Sequence, residues 1–440
     1  MNERFFSETR SVCPECLQRI PAQRVAFENK VYMIKQCPEH GEFRTVLWRG
    51  SPAWESWIRP TTPSKPKTIF TEVERGCPYD CGLCADHWKP TCTALLEVTQ
   101  RCNLNCRFCF ADAGAGIPDP SLDVIAEWYH KVMKASGPTT IQLSGGEPTI
   151  RDDLPEVVAL GKSIGFNFIQ INTNGLRLAA DKSFVRHLQE AGLNSVFLQF
   201  DGTEENVYEA LRGRRLLKEK IKAIENCTNL GIGVVLVPTL VPGINTQQIG
   251  DIIQFALDYH PGVRGVHFQP VSYFGRIPQE PREQDRITLP EVVQAIEDQT
   301  HGLIKASELK PNNGRCSFSS SFMRQANGSL EVLESKSCCG PELAEDLVQK
   351  TRTFVARQWD GIRQPGDSCC CGDPWEDVLR QIKRDGFSIT GMAFQDAWNL
   401  DLERLQNCCI HVVSPEGKLI PFCAYNLTDR SGNSIYRKGR

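Results

Sequence analysis

The chain has 440 residues, room for one large domain with appendages or for two or three ordinary domains. With 40% hydrophobic and 23% charged residues it matches globular proteins and argues against a disordered or fibrous chain. A formal net charge of -3 leaves no basic footprint for nucleic acid or an anionic membrane, so small or neutral partners fit better.

The polar start MNERFFSETR and the short apolar run GVVLVPTLVPG, broken by Pro238 and Pro242, predict neither an export signal nor a spanning helix. Twenty cysteines are therefore the outlier. Without export they point to metal or iron–sulfur ligation in a reducing cytoplasm rather than to disulfides.

In chain order, the first signature is Cys13-Pro-Glu-Cys16 followed by Cys37-Pro-Glu-His40. Two such knuckles on hairpin turns present four ligands to one ion, a metal ribbon over 1–60. Zinc and a rubredoxin-like mononuclear iron both remain open, with His40 favouring zinc. The proline-rich RPTTPSKPK (59–67) reads as a linker, and 61–92 carries CPYDCGLC, Cys77 to Cys84. Cys92 follows closely, so Cys77, Cys81, Cys84 and Cys92 can supply the four thiolates of a closed four-iron cluster. Four loop cysteines also suit tetrahedral zinc.

From 93 to 305 short β-rich runs alternate with amphipathic helical stretches. The runs are TALLEVT (93–99), TTIQLSG (139–145), NFIQINT (167–173), SVFLQFDG (195–202), GVVLVPTL (233–240) and VRGVHFQP (263–270). Strand then helix, repeated, predicts a parallel α/β sheet, here a curved and partial (β/α)6 TIM-like barrel. Immediately after the first run comes CNLNCRFC, with Cys102, Cys106 and Cys109 at the strand's C-terminal end, where such barrels place their active sites. Three thiolates hold three corners of a cubane cluster, and the lack of a nearby fourth cysteine leaves one iron open to a small molecule. Asn174, Gln199, Asp201 and His267 stand at later strand ends and are expected to face cofactor or substrate. The run RGRR (212–215) is either an anion contact or a solvated helix face.

The pattern ends near KASELKPNNGR (305–315), and 306–440 is a cysteine-rich extension. Its candidate ligands are Cys316, Cys339, Cys370, Cys408 and Cys423, drawn from the groups Cys338-Cys339, Cys369-Cys370-Cys371 and Cys408-Cys409. Adjacent cysteines rarely both bind one cluster, so one member of each group is expected to be a spare or redox-active thiol. Cys227 reads as a packed core thiol.

The Cx3Cx2C loop after the first strand, together with SGGEP (Ser144 to Pro148) after the second, resembles the radical SAM superfamily over about 93–305. The resemblance implies that Cys102, Cys106 and Cys109 hold a [4Fe-4S] cluster and that S-adenosylmethionine chelates its fourth iron. It implies Phe108 beside the adenine and Gly145, Gly146 and Glu147 at the methionine end. The whole arrangement is similar to multicluster members that include the archaeal tetraether lipid synthase and the radical SAM (seleno)protein TrsS group. CSFSSSF, with Cys316 alone, departs from the paired motif of the former.

The resemblance implies an anaerobic, cytoplasmic enzyme that cleaves S-adenosylmethionine to a 5′-deoxyadenosyl radical for C–H activation. One or two auxiliary [4Fe-4S] clusters would assist, with a flavodoxin- or ferredoxin-type reductant and a partner methyltransferase. The substrate is a small molecule, a lipid or a peptide. The alternatives are a SPASM- or MoaA-like maturase of a peptide or nucleotide-derived cofactor, and a non-enzymatic iron–sulfur electron carrier.

Overall fold

A computed structural model describes residues 4–58, 61–114, 117–312, 314–333, 342–362, 381 and 383–437. The N-terminal segment is a four-stranded antiparallel meander, β1 (Arg4–Val12), β2 (Arg19–Phe27), β3 (Lys30–Cys37) and β4 (Gly41–Arg49). Both Cys-Pro-Glu knuckles fall on its turns. Arg24 fixes the meander to the rest of the chain, its Nε and Nη2 reaching Asp401 at 2.9 and 2.6 Å.

All six expected core runs form strands. These are β5 (Thr93–Thr99), β6 (Thr140–Gly145), β7 (Ile169–Thr173), β8 (Ser195–Gln199), β9 (Gly233–Val237) and β10 (Val263–Pro270). They lie side by side in chain order and all run parallel. Their near-continuous apolar character follows from burial on both faces: β5 is buried along its whole length.

The sheet does not stop where the alternating pattern stops. The C-terminal region returns to both of its edges, with β12 (Gly386–Met392) parallel to β10 and β13 (Ile410–Val413) parallel to β5. Eight parallel strands result, flanked by antiparallel β11 (Ser317–Arg324) beside β12 and β14 (Leu419–Pro421) beside β13. An open parallel sheet exposes unpaired backbone groups at each edge, and these late strands cover them. The extension is therefore part of the barrel wall rather than an appendage to it. The helix Ala344–Gln358 lies across the end of the barrel where the strands begin: Arg352 donates to the carbonyls of Thr91 and Ser136, and Arg264 to that of Gln358.

Candidate functional site

One cavity of about 300 Å³ runs inside the barrel. At the end where the strands finish it is lined by Cys102, Cys106 and Cys109 with Gly145, Gly146 and Glu147; at the other end by Cys92, Cys409 and the helix Ala344–Gln358. Phe108, Asn174, Gln199 and His267 also line it.

The two motifs of the first end are locked together by backbone. Gly146 N–H donates to the Thr99 carbonyl and Glu147 N–H to that of Arg101, both at 2.8 Å. A Cβ at Gly145 would land on the Thr99 carbonyl oxygen, and one at Gly146 on that of Arg101. The paired glycines are thus required where the SGGEP turn presses on the start of the cysteine loop. Glu147 is buried and fully engaged. Its carboxylate accepts Thr149 N–H at 3.0 Å, the Thr149 and Thr173 hydroxyls at 2.6 Å each, and Asn174 N–H at 2.6 Å. Asn174 in turn donates from Nδ2 to Asn103 Oδ1 in the cysteine loop at 2.7 Å.

Burial pushes the Cys102 thiol up to about 11, with the Glu147 carboxylate adding to the effect. A bound cation would compensate the charge of its thiolate, as ligation of a metal requires. Asn172 Oδ1, buried on the cavity wall, has no hydrogen-bond partner among the described residues, so the cavity offers an acceptor to a bound molecule.

Asp201 has a different fate from the one its strand-end position suggests. It is fully buried, is not among the cavity-lining residues, and forms a two-point ion pair with Arg212 at 2.6 and 2.7 Å. A carboxylate removed from water needs such a partner. For Arg212 the same contact excludes the solvated-face alternative offered for RGRR, and its guanidinium is set beside Cys106 on the cavity wall.

Lys220 was not singled out from sequence. It is wholly buried, donates to the Asn174 carbonyl at 2.6 Å and approaches Gln199 Oε1 at 3.4 Å. Burial lowers it to about 8, against the pull of Asp201. Its signal was a lysine sharing one helical face with Ala223, Ile224 and Cys227. Cys227 is a buried core thiol, as its position suggested.

His267 sits deep in the barrel, its Nδ1 2.7 Å from the Thr390 hydroxyl and its ring stacked on Phe197 at 5.4 Å. Phe108 meets Tyr273 edge to face at 6.0 Å. Gln199 is the acceptor approached by Lys220.

The remaining cysteines sort into separate groups. The ligand atoms of Cys13, Cys16, Cys37 and His40 all lie within 4.8 Å of one another, a fit to one metal ion. Burial pushes Cys13 up to about 12. Cys77, Cys81 and Cys84 form one neighbourhood, with the Cys81 N–H donating to the Tyr436 hydroxyl at 2.8 Å. Cys92, expected as their fourth partner, is instead in contact with Cys409, Sγ to Sγ 3.0 Å. The cause is register: Thr93 pairs with Ile410 between β5 and β13, which sets the preceding cysteines side by side. Cys408 points elsewhere, within electrostatic reach of Cys316 and Cys423. Cys338, Cys339, Cys369, Cys370 and Cys371 lie outside the described residues.

This fold and site define a radical SAM protein. Residues 96–256 match the model of the radical SAM superfamily, and residues 5–49 match that of the HMPTM N-terminal zinc ribbon domain. The chain is 36% identical to the 7,8-dihydro-6-hydroxymethylpterin dimethyltransferase of Methanocaldococcus jannaschii, covering 96% of this chain and 94% of that protein. It is 31% identical to a probable GTP 3′,8-cyclase of Methanothermobacter thermautotrophicus over 38% of this chain and 55% of that one. It also resembles the solved structure of Streptococcus suis SuiB bound to S-adenosylmethionine, with a TM-score of 0.40 and 14% identity over 48% of each chain. The chain belongs to the radical SAM superfamily, in the same family as the Methanocaldococcus jannaschii protein. It is an enzyme, and membership implies a [4Fe-4S] cluster and S-adenosylmethionine. No helix among the described residues is long and apolar enough to cross a membrane.

Proposed function

We propose that this enzyme activates a C–H bond of a small heterocyclic substrate of the reduced-pterin type and attaches a one-carbon group there. The observation that carries the reading is the locked pair of Cys102–Cys109 loop and Gly145–Glu147 turn at one end of a cavity that continues through the barrel. The name of the Methanocaldococcus jannaschii relative supplies the substrate class. A bound four-iron cluster would supply the electron that cleaves S-adenosylmethionine to a 5′-deoxyadenosyl radical.

The protein's own groups do the rest. Cys102, Cys106 and Cys109 would hold the cluster. The bared backbone at Gly145 and Gly146 and the ring of Phe108 would position the methionine and adenine ends of the cofactor. Glu147 acts by fixing Asn174 and the loop beside it. Asn172, Gln199 and His267 line the space beyond and would read the hydrogen-bonding edge of a heterocycle, while residues of the helix Ala344–Gln358 border the far end.

Cys77, Cys81 and Cys84 would hold an auxiliary cluster whose fourth ligand is not Cys92, and Cys316, Cys408 and Cys423 would contribute to another. The three-cysteine, one-histidine ribbon site suits zinc. Cluster chemistry of this kind fits an oxygen-free cytoplasm and a flavodoxin- or ferredoxin-type reductant.

The test is anaerobic reconstitution, followed by measurement of 5′-deoxyadenosine formed from S-adenosylmethionine under reductant. The parent is expected to form it and Cys106→Ala to form none; equal amounts from both overturn the radical assignment. Incubation with 7,8-dihydro-6-hydroxymethylpterin, excess S-adenosylmethionine and a reduced one-carbon carrier as methyl source is then expected to give a product heavier by one or two methyl groups. Deoxyadenosine without such a product would keep the radical chemistry and overturn the substrate class.

A further inference from the structure

Cys92 and Cys409 are 317 positions apart and in contact, with sulfurs separated by 3.0 Å. Backbone holds them there: Cys92 N–H donates to the Cys409 carbonyl at 2.7 Å, and Thr93 N–H reaches the same oxygen at 3.3 Å. Both thiols line the central cavity, at the opposite end of β5 from the Cys102–Cys109 loop. Two cations accompany them. Lys89 is buried on the same wall and acts on Cys409, and the Arg352 charge acts on both sulfurs. Arg352 Nε is itself buried without a hydrogen-bond partner among the described residues.

Among the described residues, the sulfur in contact with each of these thiols is that of the other. Cys409 contacts Cys92, while the adjacent Cys408 is within electrostatic reach of Cys316 and Cys423 as well as of Cys409 and Cys92. A closely spaced dithiol opening on a cavity has the geometry of a thiol–disulfide exchange site: either sulfur can attack an entering disulfide, and its neighbour is placed to resolve the mixed disulfide.

We propose that Cys92 and Cys409 form a redox-active dithiol at the floor of the cavity, which exchanges with low-molecular-weight disulfides entering it. In the first step the thiolate of one cysteine attacks a sulfur of R–S–S–R. That S–S bond breaks, a mixed disulfide forms, and one R–S⁻ leaves and takes up a proton. In the second step the other cysteine, having lost its proton, attacks the first cysteine's sulfur and expels the second R–S⁻. The two protein thiols are oxidised to a disulfide, and the small disulfide is reduced to two thiols. The proposal is independent of which substrate the enzyme methylates.

The test uses the full chain, reconstituted and kept anaerobic, treated with excess 2-hydroxyethyl disulfide, then acid-quenched, alkylated and digested for mass spectrometry. The expected result is a joined pair of peptides containing Cys92 and Cys409, lacking two hydrogens, with Cys227 still alkylated as a free thiol. Cys92→Ser is expected to trap a mercaptoethanol adduct on Cys409, and Cys409→Ser one on Cys92, each with iron and zinc per chain unchanged. Recovery of both cysteines as free thiols in the treated parent overturns the proposal, and so does loss of metal from either variant, which would make the pair ligands instead. The primary readout is made on the unmutated protein and does not depend on the variants folding.

Discussion

Glu147 accepts the backbone N–H of Asn174 at 2.6 Å, and through that bond the turn after β6 determines where β7 ends. Asn174 then reaches Asn103, so one buried carboxylate sets the spacing of three loops at the cavity mouth. Glu147→Gln places an amide N–H₂ against donors and leaves one of them unmet. We expect a loss of about 2 to 3 kcal/mol, the cost of an unsatisfied buried group bonded to a charge. Urea unfolding of the apo protein checks it, and an unchanged midpoint would mean the network does not bear on stability.

Gly146→Ala tests the close approach of the two motifs. Its Cβ would meet the Arg101 carbonyl oxygen, a backbone atom that cannot swing aside. Separation of the turn from the cysteine loop should cost about 1 to 3 kcal/mol, as overpacking does. It should also reduce iron incorporation at the Cys102–Cys109 loop. Ferrous-chelator assay and the visible absorbance after reconstitution report this directly.

The Asp201–Arg212 pair is nearly inaccessible at both ends, with side-chain exposures of 0% and 4%. Arg212→Ala strands a buried carboxylate and is expected to cost about 3 to 5 kcal/mol. Adding Asp201→Asn to Arg212→Ala removes both charges and should recover much of that loss. A double-mutant cycle in denaturant separates an essential charge from a merely compensated one, since no recovery would show that Asp201 itself is needed.

His267 gives a pH dependence with a definite sign. Burial lowers it from 6.5 to about 4, so the unfolded chain takes up a proton before the folded one does. Its stabilising contribution is complete above the unfolded value and is lost as pH falls toward the folded value. Between about pH 7 and pH 5 the parent should lose about 2 kcal/mol more than His267→Gln, a variant that does not titrate there. Parallel losses in the two proteins would contradict the burial of a neutral imidazole.

Metal removal from the ribbon should be local. Cys37→Ser deletes one of four clustered ligands and is expected to lower bound metal by one ion while leaving the barrel's iron unchanged. Metal analysis, with limited proteolysis across the meander, distinguishes this from a general loss of fold, in which iron would fall as well.

Much of the architecture was legible because its signals are local. Six apolar runs, each followed by an amphipathic stretch, lie along the chain in the same order as β5 to β10 lie across the sheet. The two Cys-Pro-Glu knuckles sit on hairpin turns and needed only one register to converge. The SGGEP turn was recognisable, although its glycines answer to the Thr99 and Arg101 carbonyls and its glutamate to Thr149, Thr173 and Asn174.

What spacing along the chain determined, then, was the class of site and the scaffold beneath it: three thiols after a first strand, a glycine turn after the second, and a metal ribbon ahead of both. Tertiary structure alone decided how distant residues are shared out. Cys92 has three cysteines within fifteen residues before it, yet its partner is Cys409. Asp201 turns from the cavity to Arg212, and the last hundred residues supply strands to both edges of the sheet. The physical reason is common to all three. Unpaired sheet edges and buried charges must be satisfied by whatever the folded chain brings to them, and that is fixed by strand register and burial, not by separation in sequence.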